Sequence, residues 1–95
     1  MGFRFEWDKN KASSNIRKHG VSFDEARTVF NDPLARIFDD EEHSSIERRE
    51  IIIGHSIVNR LLVVCFTERK EAIRIFSARL ATLRERKDYE ENIIF

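Results

Sequence analysis

Ninety-five residues with 17 Lys+Arg against 17 Asp+Glu and an apolar fraction of 41% describe one heavily solvated domain over 1–95, with a single modest core. No run approaches the roughly 20 apolar residues of a membrane span, and the opening MGFRFEWDKNK lacks the apolar stretch of a secretory signal. Cys65, the one cysteine, forms no intramolecular disulfide; inside LLVVCF it reads as a buried, inert thiol, and the expected location is the cytoplasm.

The chain opens with FRFEW (3–7), whose alternating character predicts a short strand. A helix is expected from Asp8 to Lys18, with Ala12, Ile16 and His19 on one face and Gly20 as its stop. Ser22-Phe-Asp-Glu25 has the capping-box pattern and starts a second helix striped by Phe23, Ala26, Val29 and Phe30. Asp32-Pro33 ends it. Strands follow at Leu34–Asp39, Arg49–Val58, Arg60–Thr67 and Ala72–Ala78, with a tight turn at Val58-Asn59. Gly54 inside a strand signals a bulge or a close backbone approach. Thr82-Leu-Arg-Glu85 repeats the capping-box spacing and opens a final helix to about Asn92. Its apolar face is thin (Leu83, Tyr89, Ile93), which suggests support from a partner. The order β-α-α-β-β-β-β-α predicts an α+β fold: two N-terminal helices packed on a mostly antiparallel sheet, then a C-terminal helix. The terminal IIF reads as an ordinary apolar end.

Zero net charge hides opposed blocks. Residues 37–50 carry six acidic side chains against two basic, while Arg69 to Lys87 carry seven basic against two acidic. Neutrality overall excludes indiscriminate binding to nucleic acid, whose affinity comes from neutralising phosphates. A local site is compatible with it, because arginine presents a permanently charged fork that matches phosphate oxygens. The acidic run 39–42 reads as a solvated face.

His19, His43 and His55 lack partners at familiar metal-ligand spacings, and the three glycines form no phosphate loop. No cofactor is expected. A metal-free set of Lys, Arg, His, Glu, Ser and Tyr suits cleavage of RNA by its own 2′-hydroxyl. That reaction needs a proton acceptor, a donor for the leaving 5′-oxygen, and cations around the phosphorane. Each candidate also has a structural reading. His19 stands at a helix end, where a cation satisfies terminal carbonyls. Ser44 to Glu47 spells another local cap, and Arg49 can pair with Glu47 or the acidic block. Arg86 with Glu90 makes an i,i+4 pair. Strict alternation puts Arg74 and Arg79 on opposite faces; a bulge near Ser77 restores a shared one.

Three blocks carry a resemblance: W-D-x-x-K-x-x-x-N-x-x-K-H-G-V-S-F from Trp7, E-x-R at Glu47, and S-A-R-x-A-T-x-x-E-R-x-x-Y from Ser77. In this order and spacing the chain resembles, across about 1–91, the BrnT toxins of bacterial type II toxin–antitoxin systems. Leu80 and Leu83 depart from a pattern that is often basic there. The resemblance implies a RelE-like fold and a metal-independent endoribonuclease that inhibits translation. It also implies neutralisation by a BrnA-like antitoxin, a possible 2:2 assembly, and operator DNA bound only through the antitoxin complex. By the same resemblance, Arg74 and Arg79 would meet phosphate and transition-state charge, and Lys18 and His19 would transfer protons or contact phosphate. Glu47 with Arg49 would form a supporting or acid–base pair, while Ser77, Arg86 and Tyr89 would hold substrate. The alternative is a catalytically silent antitoxin-binding co-repressor.

Overall fold

The computed structural model describes residues 4–43 and 47–93, so Phe3, the Ser44 cap and the last two residues of the terminal IIF lie outside it. Among the described residues the elements are β1 (Arg4–Glu6), α1 (Lys9–His19), α2 (Phe23–Arg27), β2 (Arg36–Asp39), β3 (Glu50–His55), β4 (Leu61–Arg69), β5 (Ala72–Leu80) and α3 (Leu83–Ile93). Short 3₁₀ turns cover Thr28–Asn31 and Glu41–His43. No helix among these residues is long and apolar enough to cross a membrane.

The strands form one five-stranded sheet in the order β1-β5-β4-β3-β2. β1 runs parallel to β5; the other pairings are antiparallel. One face carries Ile52, Leu62, Val64, Phe66, Ile73, Ile75 and Ala78, buried against Val21, Phe23, Ala26 and Val29. The opposite face carries Ile53, Leu61 and Val63, covered at one end by Tyr89 of α3.

Local chemistry explains most boundaries. Asp8 caps α1 by accepting from the amides of Asn10 and Lys11, and Gly20 closes it at φ 66°, donating to the Ile16 carbonyl. The expected stripe of α1 is different: Ile16 is 51% exposed, His19 is exposed, and the buried residue is Asn15. Ser22 accepts from the Glu25 amide as expected, but Glu25 turns outward to Arg60 and Ser56 instead of closing the box. Thr82 and Glu85 make the complete reciprocal pair, at 2.9 and 3.1 Å. β3 stops at His55, not Val58, because the Ser56 amide bonds the Arg60 carbonyl and Asn59 takes the left-handed conformation at φ 63°. Of the expected face of α3, Tyr89 is buried and Leu83 is 87% exposed.

Gly54 marks a close approach. A Cβ there would sit 2.9 Å from Ala35 Cβ, 3.0 Å from Asp32 Oδ2 and 3.1 Å from Val29 Cγ1. Gly54→Ala is therefore expected to destabilise the fold by about 1–3 kcal/mol through overpacking, measured as a lower urea midpoint at unchanged slope.

A β-bulge decides which side chains share the open face. Cys65 pairs with Ser77 and Phe66 with Ile75, leaving Phe76 as the extra residue of β5. Ile75 and Ala78 both stay on the helix side. Arg74, Ser77 and Arg79, opposite Thr67, Cys65 and Val63, therefore face the same way.

Candidate active site

Beyond β1 the edge of β5 is taken over by α1. Asn15, 6% exposed, donates from Nδ2 to the Ala78 carbonyl at 2.7 Å and accepts the Ala78 amide at 3.2 Å. One side chain thus does what a neighbouring strand would do. It also donates to the Val21 carbonyl at 2.9 Å, fixing the turn after α1. Lys11 and Lys18, four residues before and three after Asn15, share its helix face and are carried to the bulge.

There the open face sinks into a hollow of about 350 Å³. Lys11, Arg49, Ser77 and Arg79 line it together with Phe76, Cys65, Asp40 and Glu42. The Arg49 guanidinium lies 3.9 Å from the centre of the Phe76 ring and Lys11 Nζ 5.3 Å from it, so the negative face of one aromatic ring gathers two cations. A second hollow of about 240 Å³ adjoins it, sharing Lys11, Phe76 and Ser77 and adding Ser14, Lys18 and His19. The Cys65 thiol donates to the buried Asp40 at 3.5 Å. Burial and that carboxylate push its pKa up to about 11, so the thiol is not a nucleophile near neutrality.

The family model for the ribonuclease toxin BrnT of type II toxin–antitoxin systems matches residues 7–85, a span that holds Lys11, Lys18, Arg49 and Arg79. The chain belongs to the BrnT family. Among solved structures it is similar to the Brucella abortus ribonuclease toxin BrnT, with a TM-score of 0.64 and 25% identity over 85% of this chain and 99% of that one. Comparison with curated proteins finds no match. Membership in a type II toxin–antitoxin family implies an antitoxin partner for this BrnT chain.

Of the residues expected at the BrnT site, Lys18, His19, Arg49, Ser77 and Arg79 line the joined hollows. The others stand apart. Arg74 shares the face but bonds Glu6 at 3.2 Å. Glu47 pairs with Arg69 at 3.0 Å, and Arg86 reaches Glu90 at 4.0 Å. Tyr89 is buried, with its hydroxyl donating to Asp32 and the Leu34 carbonyl, but it lines a neighbouring hollow that shares Arg79 with the cationic one. Lys11 and Phe76 were not among the candidates. Lys11 stands in the sequence as the lysine of W-D-x-x-K on the face of Asn15 and Lys18; Phe76 reaches this face only through the bulge, which the sequence allows near Ser77 without showing.

Arg79 is forked onto Glu85 at 2.7 and 2.9 Å, so the cation that borders the hollow is held by the capping carboxylate of α3. Arg79, then the Thr82 amide, hold Glu85 down at about 2, against an ordinary 4.5. Its folded-state pKa is depressed, so this contribution to stability is present above the unfolded value and is lost as pH falls from about 4.5 towards 2. Solvent screening makes it modest. Acid unfolding curves are expected to steepen in that window for the native chain and to flatten for Glu85→Gln.

Proposed function

We propose that this BrnT-family chain is a metal-independent endoribonuclease of RelE-like type that inhibits translation in the cytoplasm and is neutralised by a BrnA-like antitoxin. The observation that carries the reading is the convergence of Lys11, Arg49 and Arg79 on one open hollow beside Lys18 and His19. Fixed cations at that point suit the charge that develops on a phosphorane. The 2′-oxygen of the substrate attacks the adjacent phosphorus, and the bond to the 5′-oxygen breaks. A cyclic 2′,3′-phosphate and a free 5′-hydroxyl remain. The proton leaving the 2′-hydroxyl passes to a base at the Lys18–His19 corner, and a second group returns one to the 5′-oxygen. Lys11, Arg49 and Arg79 hold the non-bridging oxygens, with Ser77 as a neutral donor. The antitoxin silences the site by covering it together with α3; operator DNA is met only through the complex, for which a 2:2 assembly fits the family.

A second reading, a silent antitoxin-binding co-repressor, draws on the Arg74–Glu6 and Arg79–Glu85 pairs. Both pairs are partly solvent-exposed, where a carboxylate is held weakly enough for a substrate phosphate to compete. Antitoxin-free protein incubated with RNA in EDTA decides between them. Fragments ending in cyclic phosphate are expected; intact RNA together with normal growth on induction favours the silent partner.

A further inference from the structure

A third hollow, of about 320 Å³, opens on the same sheet face between β2 and α3. It shares Ile51, Val63 and Arg79 with the cationic hollow, so the two are continuous. Its walls are largely apolar, with the half-exposed Phe38 ring on the edge strand and Tyr89 of α3, and Arg36, Glu85 and Asp88 line it as well. We propose, resting on the ribonuclease reading above, that this hollow receives the unstacked nucleobase next to the phosphate held at Arg79.

Size and chemistry favour a base over a protein segment. The volume is at the small end of the roughly 300–1,000 Å³ typical of small-molecule pockets, whereas a helix with its side chains is about 10–12 Å across. RNA readers bind splayed bases by stacking them on aromatic rings and bonding their polar edges, and Phe38 supplies such a ring beside a cation. Arg79 at the shared wall is placed to span base and phosphate.

The test uses a short 2′-O-methyl oligoribonucleotide, uncleavable because its nucleophile is blocked, with either guanine or an abasic position, and reads binding by fluorescence anisotropy. The native chain is expected to bind the guanine form about 5- to 150-fold more tightly, the range a single base–aromatic stack supplies. Phe38→Ala erases the difference. Phe38 is half-exposed on an edge strand, so its removal leaves the core in place, which a urea curve checks. Equal binding of both forms by the native chain overturns the proposal, whether or not RNA is cut. Unchanged discrimination in Phe38→Ala with loss of antitoxin binding also overturns it and gives the groove to a protein partner. Discrimination without any cleavage supports the base pocket and removes the catalytic reading alone.

Discussion

Asn15→Ala is expected to cost the fold about 3–5 kcal/mol. The estimate follows from what would be stranded. The Asn15 amide satisfies the Ala78 carbonyl and amide and the Val21 carbonyl, all buried, and each unsatisfied group costs about 1–3 kcal/mol. Partial access of water along the β5 edge keeps the total below the sum. Against a typical stability of about 5–15 kcal/mol, such a loss leaves a marginal protein. Asn15→Asp is expected to fare no better, because a carboxylate still accepts from Ala78 but has no hydrogen for the two carbonyls. Urea denaturation measures both; a loss under about 1 kcal/mol in each would show that Asn15 is not replacing a strand.

The second large effect concerns chemistry. Arg49→Ala is expected to lower single-turnover RNA cleavage about 10²- to 10³-fold, the range for removing one preorganised donor from a developing oxyanion. Its guanidinium is oriented by the Phe76 ring at 3.9 Å, and that stacking depends on a planar group. Arg49→Lys keeps the charge, loses the stack, and is expected to recover only a small part of the rate. Arg69→Ala is the control, since Arg69 pairs with Glu47 away from the hollow. Equal losses in Arg49→Ala and Arg69→Ala would point to general charge loss and not to a site.

The sequence made the elements readable wherever a local signal governs the chain. Capping residues at Ser22 and Thr82, the left-handed Gly20 and the close approach at Gly54 all stand where their patterns pointed. What escaped was set by partners distant in sequence. The role of Asn15 does not follow from its neighbours, because its acceptor, Ala78, lies 63 positions away. The bulge at Phe76 arises from the pairing of β4 with β5, and only that pairing turns Arg74 and Arg79 the same way. Glu25 left its own cap because Arg60, brought beside it by the β3–β4 turn, is the stronger partner. The Lys18–His19 corner was visible as a motif, but its closeness to Ser77 depends on Asn15 fastening α1 to β5. Glu47 and Arg86 matched the family pattern yet make ion pairs elsewhere on the surface.

The central claim is that Lys11, Arg49, Ser77 and Arg79 form one surface for the backbone of RNA. Titrating the ¹⁵N-labelled protein with an uncleavable 2′-O-methyl oligoribonucleotide tests it directly. The amides of these four residues are expected to shift most and saturate together, with Glu47, Arg69 and Arg86 nearly still. Largest shifts around Arg69 or Arg86, with the hollow unmoved, would contradict it.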